Sequence, residues 1–233
     1  MRTQRKIFHL LADNGINGSP FRYLPEVSLR HKFDFTKPFT ITDKIDGTTV
    51  QADNQSSYQR RDKFKKGDPK KFSASEEERY FLQELDTSNP ENKWILQAIQ
   101  PFQNNMREMP HGLVAYFECF GSKIQDRYRT FAGHSIRIFD FAFNDKYLPF
   151  EETIQKCTSL NLPIVGHAVR RFSDLSQLLM TFTMSEHIAP ELKSFVLEGW
   201  VIRQEDEIAK IRKDDLHKMF VPVSLYGDKT HEA

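Results

Sequence analysis

FTITDKIDGTTVQA, residues 39–52, decides the reading of this chain. Thr, Ile and Val dominate it, and β-branched residues in short runs favour extended backbone. Asp46-Gly47 interrupts the run with turn residues. The pattern therefore predicts two strands around a turn, a hairpin centred on Asp46-Gly47. Lys44 stands immediately before that turn. A lysine there is, on its own, most simply a solvated surface residue.

Outward from this stretch, the chain alternates between strand and helix signals. SSYQRRDKF continues as strand and then loop. SASEEERYFLQEL, with serines ahead of glutamates, predicts a helix. KWILQAIQPFQNNM predicts a second helix, bent or ended by Pro101. GLVAYFECFG and SIRIFDFAF read as buried strands. EETIQKCTSL and SDLSQLLMTF predict short helices on either side of a strand near 162–169. SFVLEGWVIR and EIAKIRK predict two strands joined by the acidic turn at 204–207, and DDLHKMF a closing helix. The expected class is α+β, with antiparallel sheets flanked by helices.

Bulk properties narrow the rest. With 233 residues the chain can bury a substantial core. No apolar stretch is long enough to span a bilayer, and the broken apolar start MRTQRKIFHLLADNG does not fit a secretion signal. These features predict an intracellular protein, cytoplasmic or nuclear, with no membrane partner. Cys119 and Cys157 have no zinc-type spacing and read as buried free thiols. The net charge is only +1. The run RRDKFKKGDPKK, residues 60–71, concentrates seven basic against two acidic residues. Such a run suits a phosphate backbone, or simply makes a solvated loop. Arg61, Lys63, Lys65 and Lys66 are the nucleic-acid contacts it suggests.

Five short segments, in order, carry the residue types that nucleotide transfer needs: Lys44-Ile45-Asp46-Gly47, Glu118 within YFECFG, Phe139 before Asp140, Glu198-Gly199-Trp200-Val201, and Lys210-Ile211-Arg212. In this order they resemble the motifs of the covalent nucleotidyltransferases, which comprise RNA ligases, DNA ligases and mRNA capping enzymes. Two softer stretches, Glu118 to Gln125 and Tyr58 to Lys66, resemble the RNA ligase branch. The resemblance covers roughly residues 39–213. It implies an ATP-grasp-like nucleotidyltransferase domain over 39–233, with residues 1–38 as a lead-in to the same domain.

The resemblance also implies roles. Lys44 is the nucleophile that takes AMP from ATP. Asp46 and Gly47 belong to the nucleotide pocket, Glu118 accepts a hydrogen bond from ribose, and Phe139 stacks on adenine, with Phe141, taken to share its face, as runner-up. Glu198 is the carboxylate associated with Mg²⁺ or Mn²⁺. Arg60 is favoured over Arg61 as a phosphate contact. Physical chemistry gives the cations a purpose. A lysine amine is a poor nucleophile at its ordinary pKa of ~10.4. Lys210 and Arg212, two apart on a strand, share a face and are expected to depress the pKa of Lys44 and to hold the α-phosphate.

Some positions depart from the pattern. Asp43 precedes the lysine where glutamate is frequent. Arg212 stands where a lysine is usual, a permanently charged fork in place of a titratable amine, so Lys213 is a further candidate. Only 21 residues follow Arg212, too few for the oligonucleotide-binding-fold domain of DNA ligases and capping enzymes. The expected function is an ATP-dependent RNA ligase acting on 5′-phosphate and 3′-hydroxyl ends, as in RNA repair. A partner chain or homodimer is expected to help hold the RNA. The alternatives are a minimal DNA nick-sealing ligase, a nucleic-acid-binding protein that adenylylates itself without sealing, and a plain nucleic-acid binder.

Overall fold

A computed structural model describes residues 7–13, 23–28, 30–63 and 80–220. The chain divides into two compact units, each assembled from separate segments. The first comprises Ile45–Gly166 and Ala189–Val196. The second comprises Ile7–Lys44, His167–Ile188 and the chain from Leu197 onward. No helix among the described residues is long and apolar enough to cross a membrane.

In the first unit the strands are β5 (Thr48–Ala52), β6 (Ser57–Asp62), β7 (Tyr80–Glu84), β8 (Leu113–Gly121), β9 (His134–Phe143) and β10 (Lys146–Tyr147). They form an antiparallel sheet in the order β10-β9-β8-β5-β6-β7. The run LVAYFECFG of β8 is buried at every position but Glu118, as a central strand covered on both faces requires. On one side Val50, Ala115, Phe117, Ile138 and Phe141 form a core with Ile95, Ala98 and Ile99 of α1 (Lys93–Ile99). Pro101 sits in a single 3₁₀ turn between α1 and α2 (Gln103–Arg107), where its missing N–H does least harm. α3 (Phe150–Ser159) supplies Cys157 to this core and Phe150 to another. Both cysteines are free and buried.

In the second unit β1 (Phe8–His9), β4 (Phe39–Lys44), β11 (His167–Arg170), β12 (Gly199–Gln204) and β13 (Glu207–Arg212) form a sheet in the order β1-β13-β12-β4-β11. Only the two-residue β1 runs parallel to its neighbour. A separate pair joins β2 (Leu11–Asp13) and β3 (Tyr23–Val27). Phe39, Ile41, Trp200, Ile202, Ala209 and Ile211 pack with Leu178 and Phe182 of α4 (Leu175–Thr183). Asp174 caps α4 by accepting the Gln177 N–H at 2.8 Å, and the Gln177 side chain accepts the Ser173 N–H at 2.6 Å, a reciprocal cap. α5 (Lys213–Phe220) follows β13 directly.

Two expectations fail. The stretch 39–52 makes two strands but no hairpin: β4 pairs with β11 and β12, whereas β5 pairs with β6 and β8. The chain passes from one unit to the other after Lys44. Ile45, which a hairpin turn would expose, is buried with Phe120, Tyr128 and Leu192. The helix expected over 73–85 also fails where it is described. Residues 80–84 form β7, paired along β6 from Tyr58↔Glu84 to Asp62↔Tyr80. A ladder to an existing strand outweighs the small helix preference of a local Ser-Glu sequence.

Phe117 lies fully buried opposite Val50 and Ile138. Phe117→Ala should therefore destabilise the protein by about 3–5 kcal/mol, measured as a lowered midpoint of urea unfolding.

Candidate functional site

Four of the expected residues come together on the sheet of the second unit. Lys44 ends β4, and its register partner is Gly199 at the start of β12. Gly199 pairs on its other side with Arg212 of β13. The pleat buries Ala209 and Ile211 and turns Lys210 and Arg212 to the opposite face. Glu198, one residue before β12, places Oε2 2.6 Å from Lys44 Nζ, and both side chains are largely shielded. The cluster thus holds an amine, a carboxylate and two further cations.

Electrostatics single out Lys210. Its pKa is lowered from 10.5 to about 8, chiefly by burial and then by repulsion from Lys44 and Arg212. Lys44 and Arg212 thus stand close enough to Lys210 to disfavour its charged form. Arg212 is held by Asp215, whose Oδ1 accepts from Nε at 3.4 Å and Nη2 at 3.3 Å. Lys213, the other candidate cation, has a different task. Its Nζ donates to the carbonyls of Phe182, Thr183 and Ser185 at 2.6, 2.8 and 3.1 Å. It closes the C-terminal end of α4, where a cation satisfies orphan carbonyls.

The remaining expected residues belong to the first unit. Glu118 faces Thr49 across β5 and β8 and accepts its hydroxyl hydrogen bond at 3.0 Å. Asp46 accepts from Arg127 Nε at 3.1 Å, and Arg127 also donates to the Val196 carbonyl at 3.3 Å. A Cβ on Gly47 would lie 2.2 Å from the Cys119 carbonyl oxygen and 2.8 Å from Glu118 Cγ. The glycine therefore lets the Asp46-Gly47 segment lie against β8. Arg60 rests over the Tyr80 ring at 4.6 Å. Arg61 is engaged by Gln83 at 3.0 Å and Glu91 at 3.3 Å. Lys63 is exposed, and Lys65 and Lys66 lie outside the described residues.

Phe139 occupies an irregular position. Tyr116 pairs with Asp140 and Phe117 with Ile138, so Phe139 is the extra residue of a β-bulge. A bulge re-aims a side chain out of the regular alternation. Phe139 is half-buried, while Phe141 is fully buried in the main core. The two do not share a face, and Phe141 is a core residue.

Arg127, Asp215 and Asp43 were not singled out for these tasks by sequence. Asp43 is 2% exposed and both its oxygens accept the Ile188 N–H at 2.9 Å, with the His187 ring nearby. It fixes the residue beside Lys44 to the segment that follows α4. Among the described residues no group of three or more His, Cys, Asp or Glu side chains can hold a metal by itself. Glu198 can offer a single carboxylate, a donor Mg²⁺ accepts when other oxygens complete its shell.

No protein-family model matches the sequence, and a search of curated proteins returns no match. Comparison with solved structures returns Naegleria gruberi RNA ligase. With pyrophosphate bound, that enzyme superposes with a TM-score of 0.56 at 16% identity, over 79% of this chain and 52% of that one. A variant with ATP and Mn gives 0.56 at 16% identity over 77% and 51%. Another, with AMP and Mn, gives 0.57 at 16% identity over 77% and 51%. The chain spans about half the length of these ligase chains and shares their fold, mixed α and β with antiparallel sheets.

Two predictions test the cluster. A Cβ on Gly199 would stand 2.2 Å from the Ile211 carbonyl oxygen and 3.0 Å from Arg212 Cα. Gly199→Ala should cost about 1–3 kcal/mol of stability, seen as a lower thermal midpoint. The second concerns pH. Folded Lys210 binds its proton less tightly than an unfolded lysine, so stability rises as pH climbs from about 8 toward 10.5. Below about 8 the full penalty is present. Lys210→Met should raise the melting temperature over wild type at pH 7, and the gain should shrink by pH 10. An equal gain at both values would contradict this account.

Proposed function

We propose that the protein is an ATP-dependent RNA ligase working through a lysyl-AMP intermediate on Lys44. The observation that carries this reading is the cluster on the second unit's sheet, where a lysine amine meets a carboxylate at 2.6 Å and two further cations. The fold shared with an RNA ligase solved with ATP, AMP and pyrophosphate supports it.

In the first step the Lys44 amine attacks the α-phosphorus of ATP. A P–N bond forms, the P–O bond to the β-phosphate breaks, and pyrophosphate leaves. The amine must first lose its proton to solvent, so that the nitrogen lone pair is free to attack. Lys210 and Arg212 supply positive charge to the phosphates, which is the main service a protein renders in such transfers. In the second step an RNA 5′-phosphate oxygen attacks the same phosphorus and the P–N bond breaks. In the third a 3′-hydroxyl attacks the 5′-phosphate and AMP departs.

Glu198 is the residue that would hold Mg²⁺ or Mn²⁺ together with the nucleotide, and the ion would neutralise charge on the triphosphate. By resemblance, Glu118 is assigned to ribose, Phe139 to adenine, and Asp46 and Gly47 to the nucleotide pocket. For the phosphate contact we favour Arg60, whose guanidinium lies on a ring, over Arg61, which is tied to Gln83 and Glu91. Arg61 and Lys63, with Lys65 and Lys66, are assigned to RNA. RNA is favoured over DNA by the softer motifs and by the likeness to an RNA ligase.

Intact mass spectrometry after incubation with ATP and Mg²⁺ or Mn²⁺ tests the first step. The expected result is a gain of one AMP, lost in Lys44→Ala and strongly reduced in Glu198→Ala. No gain with either metal would overturn the proposal. Sealing of 5′-phosphorylated RNA but not of nicked DNA is expected next. DNA sealing alone would reassign the substrate, and AMP transfer without sealing would make the chain a self-adenylylating binder.

A further inference from the structure

Arg212 departs from the lysine usual at its place, and the structure surrounds that departure with a specific support. Asp215, on the first turn of α5, is 1% exposed. Its Oδ2 accepts the Arg212 backbone N–H at 2.9 Å and faces His9 Nδ1 at 2.8 Å. Its Oδ1 accepts from Arg212 Nε and Nη2. One carboxylate therefore grips Arg212 twice, by its backbone and by one edge of its guanidinium. His9 lies in β1, directly opposite Lys210 in the parallel pairing. His9 thus reaches Asp215 from the strand that pairs with β13.

We infer that Asp215, held in turn by His9, is a positioning residue that fixes the Arg212 guanidinium for an anionic ligand of the triphosphate class. The inference rests on the adenylyltransferase reading above. Arg carries five N–H donors in a planar fork. Binding at the Nε/Nη2 edge takes one side of that plane and leaves Nη1, which has no hydrogen-bond partner among the described residues. A lysine could not be held this way, because its ammonium is a single point on a flexible stem. The arginine and its buried carboxylate form a matched pair: the fork can be oriented sideways while retaining donors for phosphate oxygens. Burial alone would raise the pKa of Asp215, yet it lies below the ordinary value because His9 and Arg212 bond and face it. Burial also lowers the pKa of His9, against the pull of Asp215.

A double-mutant cycle tests the inference. Binding of α,β-methylene ATP, which cannot transfer its AMP, is measured by calorimetry with Mn²⁺ for wild type, Arg212→Ala, Asp215→Asn and the double variant. Thermal melts accompany each. Asp215→Asn should weaken binding by ~10-fold or more, and the double variant should bind no more weakly than Arg212→Ala alone. A mere loss of rigidity at the β13–α5 junction would not give that coincidence. The inference is overturned if Asp215→Asn binds within about 2-fold of wild type, on the precision needed for additivity. It is equally overturned if the two losses multiply in the double variant. Should Asp215→Asn fail to fold, His9→Gln enters the same cycle with the same criteria. Lysyl-AMP formation by wild type is read separately. Binding that follows the cycle without lysyl-AMP overturns the ligase reading and leaves the clamp standing; lysyl-AMP without coupling does the reverse. A wild-type chain that does not bind the analogue overturns both.

Discussion

A residue without a side chain holds the cluster together. Gly199 is the register partner of Lys44 on one side and of Arg212 on the other, and no Cβ fits between it and β13. Close backbone approach sets where the nucleophile candidate and the cation candidate can stand, because each projects from the residue paired with Gly199. Gly47 meets the same constraint in the first unit, pressed against the Cys119 carbonyl. Neither glycine has the left-handed backbone that most often explains a glycine. Both are there for the space that a side chain would take.

The fold was legible where burial and periodicity act locally. The run LVAYFECFG could hardly be other than a central strand, and KWILQAI carries a helix whose end Pro101 marks. The failures came where partners decide. FTITDK and TTVQA are strands by composition, but composition does not say with which strands they pair. The turn residues Asp46-Gly47 suggested each other, whereas the buried Ile45 reports a passage into another core. Tyr80–Glu84 shows the converse, a segment with helical punctuation that completes a sheet because Tyr58–Asp62 offers it a ladder.

The candidate site divides in the same way. Lys44, Glu198, Lys210 and Arg212 were readable because short motifs in fixed order carry them, and the pleat of β13 delivers the last two to one face as spacing demands. Their supports were not readable. His9 and Asp215 lie 206 positions apart, and Arg127 reaches Asp46 across 81. Such pairs leave no periodic trace. Phe139 is intermediate: its position in the sequence suggested a role, but only the bulge shows that it leaves the alternation its neighbours keep.

The two cysteines lend the molecule an internal reporter. Cys119 and Cys157 both belong to the core of the first unit, and the second unit contains none. Burial raises both thiols above their ordinary pKa, Cys157 to about 12, so neither is reactive in the closed protein. Their rate of modification by a thiol reagent therefore measures how often the first unit's core opens to solvent, a local opening free energy.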